Sequence, residues 1–349
     1  MVQNEFITSE KPITEGKTKK IFSLMHYPNS VIMEAKDATT ADNDADKTRN
    51  IAAKGVCATR TTSRVFELLQ EAGIPIAYVR QLSETEILSK KCDMIPLEVI
   101  ARRYAVGSYL DRMPELKRED TPYRFQHLKY ELFLKTSKGK LNDFDLRDYL
   151  PETKEALIPY LDVAKTLKKF QEKNKQLTDL LQLDYETLRE EVIKIIDDPW
   201  ISDPGILEAW PLRHPKKPIE EIPDVLARFD GSNIVDDAML HTIEELTRKT
   251  FLVLEGAWEN LGYRLIDFKI EFGLDCEGNL IVADVIDNDS WRLRTPDWKE
   301  ISKQTFRDND PLKDVQENYV HVATMVESFS ANDAIAYMTK QYAIEQFGH

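Results

Sequence analysis

Leu265-Ile266-Asp267-Phe268-Lys269-Ile270-Glu271-Phe272-Gly273 is the stretch on which the reading of this chain turns, followed after Glu277-Gly278-Asn279 by Ala283-Asp284-Val285-Ile286-Asp287-Asn288-Asp289. Alternate residues of a strand share a face, so Asp267, Lys269 and Glu271 point one way and Ile266, Phe268, Ile270 and Phe272 the other. One face is polar and the other belongs to a core. If the turn closes an antiparallel pair, the second strand, Asn279 to Val285, brings Asp284 across from the polar face. Two carboxylates beside a lysine suit a magnesium–triphosphate site. Mg2+ takes few protein oxygens and fills its shell with phosphate oxygens and water, while the lysine offsets the remaining charge. The same alternation also describes a solvated strand face laced with ion pairs, and this stretch alone does not separate the two.

Working outward, Asp237 to Leu261 carries Leu240, Ile243, Leu246, Phe251, Leu254 and Trp258 at helical spacing and is closed by Gly262. Before it, the proline-dense segment Asp197 to Pro223 reads as an ordered, irregular linker. Glu152 to Lys194, with its spaced leucines, reads as two amphipathic helices. Toward the start, Lys20–Leu24 and Val31–Ala35 form a hairpin around Pro28-Asn29. A helix from Asn50 to Ala72 stops at Gly73 and Pro75. Strands are expected at Ile76–Val79, Glu86–Leu88 and Leu97–Ala101, and a last helix at Ala331–Phe347.

With 349 residues the chain exceeds what one hydrophobic core supports, so two lobes with a cleft between them are expected. Its formal charge of −14 disfavours nucleic acid and acidic membranes as general partners, so any anion needs a local basic pocket. No apolar run approaches the roughly 18–20 residues of a membrane span, and the opening residues lack the order of a signal peptide. Cys57, Cys92 and Cys276 lie far apart without CxxC spacing, which points away from disulfides and structural zinc and toward a reducing cytoplasm. HExxH, GxSxG and a strand-borne GxGxxG are all missing from the sequence.

Three further stretches carry chemistry. Glu15-Gly16-Lys17-Thr18-Lys19 has the letters of a phosphate loop but lacks its second glycine and is followed by a strand; a hairpin tip with two lysines can still cover a triphosphate. Arg102 and Arg103 leave a strand toward Gly107-Ser108, a grouping able to hold carboxylate or phosphate, and Arg292 and Arg294 offer more guanidinium. Lys36 to Asp44 places small hydroxyl residues among carboxylates, suited to an amine and sugar hydroxyls or simply to solvent.

EGKTKKIF (15–22), KDATTAD (36–42), LLQEAGIP (68–75), CDMIPLEVIARRYAVGS (92–108), LIDFKIEFG (265–273) and IVADVIDNDSWRL (281–293) stand in this order. The set resembles the phosphoribosylaminoimidazole-succinocarboxamide synthases over roughly residues 12–136 and 240–310. Val285 and Asn288 look closer to the synthase half of the animal bifunctional form than to the common bacterial one, which has glutamate and proline there. Residues 137–239 match no block of the family.

The resemblance implies an α+β, two-lobed fold related to ATP-grasp and kinase-like enzymes. Residues 1–93 would be a nucleotide-binding lobe with an antiparallel sheet. Residues 94–349 would be a larger mixed catalytic lobe with an insertion at about 137–239. It also implies an ATP- and Mg2+-dependent carbon–nitrogen ligase of purine synthesis that joins L-aspartate to carboxyaminoimidazole ribonucleotide, through an acyl phosphate. Carried over, Gly16, Lys17, Thr18 and Lys19 hold the ATP phosphates, Asp93 and Met94 border adenine, and Lys135 lies near the nucleotide. Glu271 and Asp284 bind Mg2+, and Lys269 neutralises the transferring phosphoryl group. Arg102, Ser108 and Arg292 take the ribonucleotide's phosphate and carboxylate. Asp42 and Asp289 lie near the imidazole amine, ribose or aspartate, and Asp267 orients or deprotonates the incoming amine. Partners would be these small molecules, with no nucleic acid and no membrane, and a homo-oligomer stays open. A small-molecule kinase of the same fold and a non-catalytic nucleotide-binding scaffold are the competing readings; retention of Lys17, Lys269, Glu271 and Asp284 speaks against the second.

Overall fold

A computed structural model describes residues 8–40, 48–161, 183–308 and 310–347, and the strand Arg264–Leu274 runs through its centre. That strand pairs antiparallel with Leu97–Tyr104, Leu280–Ala283, Trp291–Arg294 and Asp93–Met94. The nine-stranded sheet continues outward through Arg124–Leu134, Trp200–Ile201, Trp210–Arg213 and Ala227–Phe229. A separate five-stranded antiparallel sheet holds Thr14–Glu15, Lys19–Ser23, Ser30–Ala35, Glu86–Lys90 and Tyr78–Gln81, in that order. The chain crosses from one sheet to the other at Asp93–Met94, and a parallel bridge between Ile76 and Val282 ties the two together. The result is an α+β fold of two lobes.

The alternation expected for residues 265–273 holds from Asp267 onward, but a bulge between Leu265 and Asp267 breaks it at Ile266, so that Leu265 in place of Ile266 joins the core face. Phe268, Ile270 and Phe272 share a buried cluster with the helix Asp237–Asn260, whose Phe251 ring meets Phe268 edge-on at 5.3 Å. Burial of each such side chain contributes about 1.5–3 kcal/mol, so this seam anchors the larger lobe. The helix starts where Asp236 accepts the Met239 N–H at 2.7 Å, and ends at Gly262, which adopts φ +83°. The final helix, Ala331–Phe347, packs on its outer side.

Two expectations shift. The first helix spans Lys54–Glu71 rather than starting at Asn50, because Thr48–Asn50 pairs with Ala38–Thr40 as a strand. Asp37 Oδ1 then accepts the Gly55 N–H at 2.8 Å, supplying a partner to a helix-start donor. The proline-dense segment is less irregular than its composition suggests, since Trp200–Ile201 and Trp210–Arg213 extend the sheet toward its edge, where proline is tolerated. Trp210 is fully buried, and a Cβ on Gly231 would fall 2.6 Å from its ring, so only glycine fits there. Of the two amphipathic helices, Tyr185–Ile196 is present, capped by Asp184 accepting from Thr187 N at 2.9 Å. The stretch carrying Leu167 to Leu181 lies outside the described residues. No helix among the described residues is long and apolar enough to cross a membrane.

Candidate active site

A cleft of about 770 Å³ opens where the two sheets meet, and its floor is the polar face of the central strand. Asp267 and Glu271 are buried, at 3% and 8% exposure, so this face is packed against partners instead of lying in solvent. Strand register explains its chemistry. Asp267 stands directly opposite Arg102 on one neighbour and Arg292 on the other, and Lys269 stands opposite Ile100.

At one end lie lysine–carboxylate pairs. Gly16, Lys17 and Thr18 form a hairpin tip closed by Gly16 N to Lys19 O at 2.9 Å, and a strand follows Lys19, so the resemblance to a phosphate loop is confined to its letters. Lys19 pairs with Asp284, Lys135 with Glu271 at 2.6 Å and Lys269 with Glu98 at 2.7 Å. Ala283 is the residue opposite Glu271; Asp284, the first beyond the strand, adopts φ +63° and turns into the cleft. Burial pulls the Lys19 ammonium down to about 8, against the charges of Glu271 and Asp287. Burial also works on Lys269, but Glu98 and Glu271 outweigh it and hold that ammonium above its ordinary value. Burial and then Glu98 push the Asp198 carboxyl up to about 6.

Glu271 and Asp284 fit a cation that keeps most of its shell from water and phosphate. Among the described residues no group of three or more His, Cys, Asp and Glu side chains could hold a metal by itself.

Guanidinium groups fill the other end. Arg102 donates from Nε to Glu131 at 2.5 Å, from NH1 to Asp267, and from NH2 to Ser108 Oγ at 3.5 Å. Arg292 NH1 reaches the same Asp267 oxygen at 2.6 Å. Gly107 makes this approach possible: it sits at φ +54°, and a Cβ there would lie 2.9 Å from Arg292 Cζ. Arg103, by contrast, points away from the cleft, to Glu255 at 2.7 Å and Glu345 at 3.0 Å. Adjacent strand residues face opposite ways, so the two arginines expected to act together are divided between the cleft and the helix layer.

A third group sits deeper. Asp289 is held by Lys54 at 3.1 Å, Lys303 at 2.9 Å and the Tyr319 hydroxyl. Burial opposes its ionisation, but Lys54 and Lys303 keep its carboxyl well below the carboxylate range. The neighbouring Asp287 moves the other way, raised by burial and by Asp289.

The structure therefore gathers Lys17, Thr18, Lys19, Lys135, Arg102, Ser108, Asp267, Lys269, Glu271, Asp284, Asp289 and Arg292 around one cleft. Gly16 lies at the hairpin tip, while Asp93 and Met94 form the crossing strand beside Leu274 and Gly273. Asp42 lies outside the described residues. Sequence reasoning missed Glu98, Glu131, Lys54 and Lys303. Alternation carried a signal for the first two, because Glu98 shares a face with Arg102, and Glu131 with Lys135. Lys54 and Lys303 had none; each meets Asp289 only through tertiary packing.

Comparison with known proteins adds a family. The model described as SAICAR synthetase matches residues 12–194 and 224–326, so the likeness runs on through most of the stretch 137–239 that matched no block. A probable multifunctional protein ADE2 of Caenorhabditis elegans is 30% identical over 91% of this chain and 58% of its own length. The chain thus spans a little over half of such multifunctional relatives. A phosphoribosylaminoimidazole-succinocarboxamide synthase of Chloroflexus aurantiacus is 29% identical, over 91% of this chain and 97% of that protein. The crystal structure of the synthase from Ehrlichia chaffeensis superposes with a TM-score of 0.62 at 23% identity, covering 92% of this chain and all of that one. A SAICAR synthetase in complex with ADP superposes with a TM-score of 0.54 at 22% identity, covering 90% and 96%.

Proposed function

Because this chain belongs to the SAICAR synthetase family, we propose that it condenses carboxyaminoimidazole ribonucleotide with L-aspartate at the expense of ATP. The products are the succinocarboxamide, ADP and phosphate. The observation that carries this reading is the union, in one cleft, of the Lys19–Asp284 and Lys135–Glu271 pairs with the Arg102–Asp267–Arg292 row. The first set suits a triphosphate and the second suits an anionic co-substrate.

A carboxylate is a poor acyl donor. Transfer of the γ-phosphoryl group to one carboxylate oxygen supplies a leaving group; the aspartate nitrogen then bonds to the acyl carbon, loses a proton, and phosphate departs. No enzyme nucleophile is needed, and among the described residues neither cysteine nor histidine lines the cleft. Lys17, Thr18 and Lys19 hold phosphate oxygens under the hairpin tip, Met94 borders the base, and Lys135 stays near the nucleotide. Lys269 sits over the transferring phosphoryl group, where its raised affinity for protons keeps it cationic. Glu271 and Asp284 would hold Mg2+, which supplies charge neutralisation on the phosphates. Arg102, Ser108 and Arg292 orient the ribonucleotide's anionic groups. Asp267, with one oxygen already shared by two guanidiniums, has its other oxygen to direct the incoming amine. Asp42 and Asp289 belong near the amine, ribose or aspartate. Positioning and charge stabilisation supply most of the rate. The reaction is one of soluble metabolites, consistent with a cytoplasmic site of action.

The test is incubation with ATP, Mg2+, L-aspartate and the imidazole carboxylate nucleotide. The expected result is ADP release that depends on both co-substrates, together with a new succinocarboxamide. Aspartate-independent release with a stable phosphorylated product would establish a kinase instead.

A further inference from the structure

Between the guanidinium end of the cleft and the proline-dense segment runs a buried chain of alternating charge. Arg112, 3% exposed, donates from NH1 to the Pro215 carbonyl and from NH2 to Glu131 Oε1. Its guanidinium lies over the Trp200 ring at 4.7 Å and the Phe133 ring at 5.4 Å, so it is clamped on its faces as well as its edge. Glu131, also buried, gives its second oxygen to Arg102 Nε at 2.5 Å; Arg102 continues to Asp267, and Asp267 to Arg292. Pro215, Arg102 and Arg292 line the cleft, whereas Arg112 and Glu131 do not.

We propose that Arg112 is a positioning residue for the ligation. It occupies one oxygen of Glu131 so that Arg102 meets only the other, through Nε, and keeps its terminal nitrogens for Asp267, Ser108 and an anionic group of the imidazole nucleotide. A guanidinium has five donors in a fixed fork, and a carboxylate left with a free oxygen beside it draws two of them in parallel. Without Arg112, Glu131 takes Arg102 side-on, and the edge that faces the cleft turns away. The same residue fixes the bend at His214–Lys216 through the Pro215 carbonyl. That bend is otherwise held by the Lys216 N–H to His214 Nδ1 at 3.0 Å and by His214 Nε2 with the Tyr160 carbonyl at 3.1 Å. A segment outside the family match thereby contributes to the wall of the cleft.

The inference rests on the ligation reading, which stands or falls with turnover by the unaltered chain. With that turnover measured, full-length R112K and the double variant R112M/E131M are compared by saturation kinetics and by ADP titration. Lysine cannot span two acceptors in a plane, so R112K is expected to lower kcat/KM for the imidazole nucleotide roughly 30-fold while leaving the ADP Kd within about twofold. The double variant removes both buried charges and is expected to recover thermal stability without recovering kcat/KM, a separation that a merely structural role does not produce. Substrate kcat/KM near that of the unaltered protein in R112K would overturn the proposal. So would parallel losses for nucleotide and substrate, or recovery of activity together with stability in the double variant.

Discussion

Arg102 and Arg103 are neighbours in one strand, both 2% exposed and both paired with two carboxylates, yet they serve different parts of the molecule. Arg102 faces the cleft, where its partners Glu131 and Asp267 leave donors for a ligand. Arg103 faces the helix layer, where Glu255 and Glu345 tie the sheet to the long helix and to the last turn of the C-terminal one. Ion pairing and burial do not separate the guanidinium proposed to bind substrate from the one that ties sheet to helix; the side of the sheet does.

The cleft side breaks first at the carboxylates. E271Q and D284N are expected to reduce turnover by about a thousandfold or more while the protein stays folded, since each removes a charge that the proposal assigns to the metal and phosphates. Circular dichroism beside the turnover assay checks both halves of that statement, and near-normal activity in either variant would remove its residue from the metal site. On the other side, R103M leaves two buried carboxylates with reduced compensation and is expected to cost about 3–5 kcal/mol of stability in urea unfolding. The molecules that remain folded should retain substrate KM, whereas R102M should raise that KM and leave ADP binding unchanged.

Stability also carries a pH signature from the segment that buries His214. Burial holds its imidazole at about 4 against an ordinary 6.5, so between those values the unfolded chain binds more protons. The contribution is complete above about pH 6.5 and is lost as pH falls toward 4, to a total of about 3 kcal/mol. Unfolding free energies measured across that window should show the slope, and H214N should flatten it. The smallest effect is expected from G107A, which crowds the Arg292 guanidinium and strains a positive φ. About a tenfold loss in kcat/KM for the imidazole nucleotide, with ATP unaffected, is the expected result of steady-state kinetics.

Much of this arrangement was legible in the sequence because strand alternation is local. The hairpin at Lys20–Ala35, the polar face of residues 267–271 and the long helix ending at Gly262 follow from period and punctuation. The same rule, applied to residues 97–104, separates Arg102 from Arg103 and groups Glu98 with Arg102. What alternation cannot supply is which distant element fills the space beyond a face. Lys54 in a helix, Lys303 in a loop and Tyr319 in another helix meet at Asp289 only after the lobes close. The proline-dense segment was misread for a related reason: two short edge strands need a sheet to join, and that sheet is built from residues far away in sequence. The family blocks named candidate residues that line one cleft, and the fold supplied the partners around them.

The central claim is that one cleft phosphorylates a carboxylate and then passes the acyl group to an amine. It is tested most directly with imidazole nucleotide carrying 18O in its carboxylate, by mass spectrometry of the released phosphate. The account predicts one labelled oxygen in the phosphate for every succinocarboxamide formed; unlabelled phosphate accompanying the amide would contradict it.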